Sequence, residues 1–147
     1  IRMRQFLDKV IQSSHNAIVA SDMNGHILLM NQAAENLFGF SMEEAIRSKN
    51  AANFYPPGKA KEIMKHLKSD DYGGKGKLFA SRVDVINAQG ETVPVEMTGA
   101  IIYEGEEELA TTGIFYDLRE KLAGEKKLKD ALIQINRSEK MASLGQL

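Results

Sequence analysis

The chain has 147 residues and a formal net charge of −1 at pH 7, with 43% hydrophobic and 27% charged residues. This length holds one domain and an appendage, and the balanced charge gives no electrostatic basis for binding nucleic acid. The absence of cysteine excludes disulfides, thiolate metal sites and thiol nucleophiles. No run approaches the roughly 20 apolar residues that a membrane span needs.

The first predicted element is an amphipathic helix over residues 1–14. Its apolar side chains follow helical spacing on one face: Phe6, Leu7, Val10 and Ile11. Two β-rich runs come next, on either side of Asn24-Gly25, a dipeptide that tolerates the positive φ angles of a tight turn. The sequence therefore predicts a β-hairpin directly after the first helix.

Short helices are predicted after the hairpin. The segment Gln32–Phe38 has a helical composition, and Gly39 is expected to end it. Ser41, with Glu44 three residues later, fits a capping box that opens the next helix. A further helical run, over residues 59–68, follows Pro-Pro-Gly and carries three apolar residues at helical spacing: Ile63, Met64 and Leu67.

Three strand-like segments follow at residues 78–86, 91–103 and 109–116, separated by turns rich in Gly, Asn and Glu. Alternation in the second segment places one set of residues on a single face: Val93, Val95, Met97 and Gly99. Two early strands, several short helices and three hairpin-linked strands predict an α+β fold. We expect a five-stranded antiparallel sheet with short helices on one face.

The composition changes near residue 117. Residues 118–147 contain seven Lys or Arg against four Asp or Glu, and no Pro or aromatic residue. We therefore expect a domain over residues 15–117 and a linker helix over 118–147. Four apolar residues of this helix fall in one frame with alternating spacings of three and four residues, which is typical of a coiled coil: Leu118, Leu128, Leu132 and Ile135. Lys121, Glu125 and Glu139 lie in the same frame and interrupt it.

Four motifs occur in a defined order along the chain. The hairpin A-I-V-A-S-D-M-N-G-H-I-L-L-M-N ends at Asn31 and leads into Q-A-A-E-N-L-F-G-F. The helix start S-M-E-E-A-I, the hairpin N-A-Q-G-E-T-V-P-V-E-M and the ending Y-D-L-R-E-K follow. Together they resemble the PAS family, the small sensory α+β domains of signalling proteins, over about residues 5–121. In this ending, Leu118 and Arg119 stand where the family has Ile and Thr, so only Asp117 matches the family's Asp-Ile-Thr signature.

The resemblance implies a ligand cavity between the sheet and the short helices. Its matching apolar positions are Phe38, Phe54, Met64, Leu67, Val95, Met97 and Ile114. A core filled by its own side chains is the alternative that the sequence leaves open. The resemblance also implies that Asp117 is the junction between the sheet and the C-terminal helix, where a carboxylate can cap the first helical turn.

The sequence gives little support for the cofactors known in the family. Covalent flavin chemistry requires a reactive cysteine, which the chain lacks. The family's haem histidine aligns near Lys59 or Ala60, neither of which provides an imidazole. The histidines His15, His26 and His66 have no metal-ligand spacing. We therefore expect no metal, and the sequence favours neither haem nor non-covalent flavin.

The final stretch S-E-K-M-A-S-L-G-Q-L, residues 138–147, is similar to the segment before the phosphoacceptor histidine of sensor histidine kinases. The resemblance implies the sensory PAS domain of a bacterial two-component kinase, cytoplasmic and homodimeric, with no enzymatic activity in this fragment. A kinase domain in cis, a response regulator and possible small-molecule ligands are the partners it implies. Two alternatives stay open: a ligand-free relay module, and a PAS domain that serves a cyclase or a transcription regulator.

Overall fold

The computed structural model describes residues 2–145 of the chain. The first compact unit ends at Asp117, and the second begins at Leu118. The helices are Met3–Ser13 (α1), Gln32–Phe38 (α2), Met42–Ser48 (α3), the short 3₁₀ helix Ala51–Phe54, Lys59–Lys68 (α4) and Arg119–Gly145 (α5). The strands are Ala17–Asp22 (β1), Ile27–Met30 (β2), Lys77–Ile86 (β3), Thr92–Glu104 (β4) and Glu107–Asp117 (β5).

The strands form one antiparallel sheet in the order β2-β1-β5-β4-β3. β1 pairs with both β2 and β5, so the early hairpin lies beside the three later strands. β5 is the central strand, because it also pairs along its length with β4. The predicted α+β architecture, a five-stranded antiparallel sheet with short helices, is confirmed.

The inner face of the sheet is buried beneath the short helices. As the alternation predicted, the inward residues of β4 are at most 4% exposed: Val93, Val95 and Met97. The ring of Phe38 stacks on that of Phe54, with centroids 4.4 Å apart, and meets Phe115 edge-on at 5.5 Å. These aromatic contacts connect the helical layer to the central strand, and each adds about 1 kcal/mol beyond its apolar burial.

The residues predicted to start and end the short helices do so in the structure. Gly39 has a φ of 80°, and its N–H donates to the Glu35 carbonyl at 2.8 Å at the end of α2. The Ser41 hydroxyl accepts a hydrogen bond from the Glu44 N–H at 3.1 Å, which satisfies an otherwise free amide of α3. Gly25 has a φ of 87° in the predicted hairpin turn.

The sequence pattern does not predict the 3₁₀ helix, because four residues are too few to show a period. Its start is set by side chains. The Asn50 carboxamide accepts a hydrogen bond from the Ala52 N–H at 3.0 Å, and the Asn53 side chain accepts one from the Asn50 N–H at 2.8 Å. This reciprocal arrangement is a capping box built from two asparagines.

Asn31 is completely buried, and its side-chain amide makes four hydrogen bonds. Its Oδ1 accepts from the N–H groups of Ile18 and Ala34, both at 2.9 Å. Its Nδ2 donates to the carbonyls of Ile11 at 3.0 Å and Asn16 at 2.9 Å. One side chain therefore joins the end of α1, the beginning of β1 and the first turn of α2.

The second unit contains α5, whose apolar side chains from Leu128 to Leu144 are exposed. Leu118 precedes the helix and is 5% exposed, and its carbonyl accepts a hydrogen bond from the Leu122 N–H at 2.9 Å. Gln146 and Leu147, the end of the S-L-G-Q-L motif, lie outside the described residues. Between residues 2 and 145, no helix is long and apolar enough to cross a membrane.

We call three apolar residues of α5 its apolar seam. They are more than half exposed: Leu128, Leu132 and Ile135.

We expect Asn31→Ala to lower the free energy of unfolding by about 3 kcal/mol or more, because it leaves the N–H groups of Ile18 and Ala34 without their acceptor and removes one donor from each of two carbonyls. Asn36→Ala is the matched control. Asn36 lies in the same helix, and its side chain makes one exposed hydrogen bond with Gln32, so we expect a change within about 0.5 kcal/mol. Urea unfolding followed by circular dichroism measures both. Equal losses in the two variants would contradict the role given to Asn31.

Candidate ligand cavity

A small cavity lies between the inner face of the sheet and the helices that cover it. Its volume is about 130 Å³, and β1, β4, β5, the 3₁₀ helix and α4 contribute to its walls. The walls are largely apolar, as in most small-molecule sites. The larger apolar side chains that line it are Val19, Met23, Phe54, Ile63, Met64, Leu67, Met97 and Phe115.

The seven predicted pocket residues fall in three different places. Phe38 and Val95 are buried in the core without lining the cavity. Ile114 is 41% exposed and lies on the outer face, because alternation along β5 turns its neighbours Gly113 and Phe115 inward. The remaining four line the cavity: Phe54, Met64, Leu67 and Met97.

Sequence reasoning missed two hydroxyls in the cavity wall. Ser21 on β1 and Thr111 on β5 are directly paired in the sheet, and their hydroxyl oxygens lie 2.9 Å apart. Ser21 is only 5% exposed. Alternation of Ala17, Val19 and Ser21 along β1 was a signal for the inward side of Ser21, but only the strand pairing brings Thr111 beside it.

Tyr55 was also missed, because it follows the unpredicted 3₁₀ helix. It lines the cavity, and its hydroxyl donates a hydrogen bond to Sδ of Met97 over 3.7 Å. A thioether sulfur is a weak acceptor. Burial raises the pKa of the Tyr55 hydroxyl above its ordinary value, because desolvation disfavours the phenolate. At neutral pH the side chain is therefore an uncharged donor in the cavity wall.

Two glycines lie side by side where β4 and β5 pass the cavity. Gly99 and Gly113 are paired across the two strands. A Cβ atom at Gly113 would stand 2.9 Å from two ring atoms of Phe115, which is too close for a normal contact. At Gly99 the nearest atom, Cδ2 of Leu67, would be 3.5 Å away, an ordinary distance. Gly113 therefore provides the space that the Phe115 ring occupies.

The β1–β2 turn forms part of the rim of the cavity. Oδ1 of Asp22 accepts hydrogen bonds from the N–H groups of Asn24 and His26, both at 2.9 Å. Its Oδ2 lies 2.9 Å from Nδ1 of His26. The His26 N–H, more than any other group, lowers the pKa of the Asp22 carboxyl below its usual value. Both oxygens of the Asp22 carboxylate therefore bond to groups of the β1–β2 turn and stabilise it.

The 3₁₀ helix is attached to this turn by backbone and side-chain bonds. The Asn50 Nδ2 donates to the Asn24 carbonyl at 2.9 Å, and the Ala51 N–H donates to the Gly25 carbonyl at 2.8 Å. A side chain at Gly25 would collide with the Asn50 amide. This close approach holds one wall of the cavity against its rim.

The cavity does not match the family's large cofactors. A volume of about 130 Å³ lies below the roughly 300–1,000 Å³ of sites for drug-sized molecules, so haem or flavin would displace core side chains. Ala60 lines the cavity, whereas His66 stacks on Tyr72 with ring centroids 3.9 Å apart. In the part of the chain that the structure describes, no three His, Cys, Asp or Glu side chains are grouped to hold a metal.

The predicted junction residue Asp117 is the last residue of β5, where it pairs with Val95. Leu118 follows, and α5 begins at Arg119. The carbonyl of Leu118 accepts the first helical hydrogen bond, so Asp117 stands one residue before the N-cap position. Its role as a signal junction stays a prediction.

Residues 5–118 match the model of the PAS fold family. The chain belongs to the PAS family. The match covers the whole sheet, its helical layer and most of α1, so the PAS domain contains the cavity. No curated protein sequence matches the chain.

Solved structures with the same fold include several PAS domains. A PAS domain from Colwellia psychrerythraea has a TM-score of 0.69 and 23% identity, over 81% of this chain and 99% of that one. A PAS domain from a two-component sensor histidine kinase has a TM-score of 0.58 and 17% identity, over 76% and 92%. A domain of a sensory box sensor histidine kinase/response regulator from Geobacter sulfurreducens has a TM-score of 0.60 and 16% identity, over 78% and 93%.

We expect Gly113→Ala to cost about 1–3 kcal/mol of stability, because the Phe115 ring must move away from the added methyl group. Gly99→Ala is the matched control, because it adds the same methyl group at the paired position without a close contact. Both variants gain the same stabilisation from a less flexible unfolded chain. Urea unfolding measures the difference between them, and a Gly113→Ala protein as stable as Gly99→Ala would contradict this account.

Proposed function

We propose that the chain is the signal-sensing and dimerising PAS domain of a two-component sensor histidine kinase. The observation that carries the proposal is α5, a 27-residue helix that follows β5 after one residue and exposes its apolar seam. The resemblance of S-L-G-Q-L to the segment before a phosphoacceptor histidine supports it, and so do the kinase-derived PAS domains with this fold. The PAS domain itself is sensory and not catalytic.

Pairing with a second copy of the chain would stabilise α5. A long polar helix with few buried contacts is marginal alone. Burying one leucine contributes about 1.5–3 kcal/mol, so seam residues paired in a parallel coiled coil would hold two chains together. Gly124 and the charged residues Glu125 and Glu139 fall within or beside this seam. They weaken the pairing, and a weak coiled coil is easily shifted by a small change in free energy.

The central strand offers a direct mechanical path from the cavity to α5. β5 contributes Gly113 and Phe115 to the cavity wall, and it ends at Asp117. A guest that moves the Phe115 ring would therefore act on the chain two residues before the predicted junction. We infer that ligand or state changes in the cavity alter the pairing of α5. The partners implied are a kinase domain in cis and a response regulator for the parent protein.

A ligand-free relay module is the second candidate function. The small size of the cavity favours such a module over a PAS domain that binds a large cofactor. Native mass spectrometry of freshly purified protein, compared with the denatured mass, separates the two. A retained small molecule supports sensing, whereas an empty protein that still dimerises supports relay. A PAS domain that serves a cyclase or a transcription regulator would lack autophosphorylation in the parent.

The kinase assignment is tested with protein extended past Leu147 to the predicted histidine and the kinase domain. We expect incorporation of phosphate from ATP, and its loss when that histidine is replaced by glutamine. Phosphate transfer to a response regulator would identify the output. Absence of autophosphorylation in the extended, folded protein would overturn the kinase assignment and leave the PAS fold untouched.

We expect Leu132→Glu to convert the dimer into a monomer, because it places a charge in the seam. Ile133→Glu is the matched control: Ile133 is the next residue, is also exposed at 41%, and lies outside the 3-4 frame. Sedimentation equilibrium at several concentrations measures both variants. Should both proteins stay dimeric, or both become monomeric, the seam would not be the contact between the two chains.

A further inference from the structure

The size of the cavity restricts any guest to a small molecule. A volume of about 130 Å³ is close to that of an engineered apolar cavity of roughly 150 Å³ that binds benzene. The guest would therefore have about six or seven non-hydrogen atoms. Met64 and Met97 line the cavity, and their flexible side chains allow some adjustment to its shape.

Most polar groups in the wall already have strong hydrogen-bond partners. The hydroxyls of Ser21 and Thr111 bond to each other, and the Asp22 carboxylate holds the β1–β2 turn. The Asn50 side chain caps the 3₁₀ helix and donates to a carbonyl of the turn. The Asp22 and Asn50 side chains cannot turn to a guest without breaking a contact that shapes the cavity, and the Ser21–Thr111 pair has only one O–H hydrogen beyond its mutual bond.

Tyr55 is different, because its hydroxyl donates to a sulfur atom. The distance of 3.7 Å to Sδ of Met97 describes a weak bond to a poor acceptor. A carbonyl or ether oxygen accepts a hydrogen bond from a phenol much better than a thioether does. Exchanging Met97 for such an oxygen therefore gains binding energy and leaves no buried group without a partner.

We propose that the cavity binds a small neutral molecule with an apolar body and one hydrogen-bond acceptor, and that Tyr55 donates to this acceptor in place of Met97. The proposal rests on the sensory function proposed above and names the ligand class of that site. A charged guest is disfavoured, because its charge would lose water in an apolar cavity. Met97 is paired with Phe115 on β5, so its release from Tyr55 occurs beside the strand that leads to α5.

Two probes of nearly equal shape test the role of the acceptor: cyclohexanone and its hydrocarbon isostere methylenecyclohexane. Binding to the whole chain is followed by NMR of ¹³C-labelled methionine methyl groups. Met23, Met64 and Met97 line the cavity and report on it, while Met3 and Met141, which are 69% and 70% exposed, serve as internal controls. We expect both probes to shift the cavity methyl signals selectively, and Tyr55→Phe to weaken the binding of cyclohexanone about fivefold, as the loss of one net hydrogen bond predicts.

The affinity of Tyr55→Phe for methylenecyclohexane should stay within about twofold of the original protein's, which also shows that the variant is folded. Tyr72→Phe, at a tyrosine that is 41% exposed, should change neither affinity. An unchanged ratio of the two affinities in Tyr55→Phe would overturn the role of Tyr55. Failure of both probes to shift Met64 and Met97 would overturn the ligand class. The proposed kinase function is judged separately, by the dimer and autophosphorylation measurements.

Discussion

The side-chain amide of Asn31 bonds the end of α1, the beginning of β1 and the first turn of α2 to one another. β1 then carries Val19 and Ser21 to the cavity wall and pairs with the central strand. A shift of one residue in β1 would exchange its two faces and turn both side chains away from the cavity. The register of this strand, and with it the shape of the cavity, depends on a buried polar group whose four hydrogen bonds are all made.

β5 both lines the cavity and leads into the C-terminal helix. Its inward residues, Gly113 and Phe115, shape the cavity, and its last residue, Asp117, leads into α5. The strand is held on both sides by β1 and β4, so it cannot move freely as a whole. Repacking of one side chain is the smaller change, because it leaves the pairing of the strands in place.

Much of the fold could be predicted because its signals are local. The turn at Gly25, the helix end at Gly39 and the cap at Ser41 depend on residues close in sequence. The 3₁₀ helix could not be predicted in the same way. Its start is held by Asn50, whose side chain bonds the carbonyl of Asn24, 26 residues earlier. Such a contact exists only after the β1–β2 turn and the helix have come together.

The same distinction between local signals and long-range contacts applies to the cavity. Alternation along β4 identified Met97 as inward-facing, but β5 carries apolar residues on both faces, and Ile114 was assigned to the wrong one. The sequence by itself determined the order of the elements, the buried face of β4 and the resemblance to PAS domains, since period and turn chemistry are local properties. Only the tertiary structure decided which buried side chains border a cavity and that Tyr55 faces Met97 there, because those neighbours come from distant segments and meet through strand pairing and helix placement.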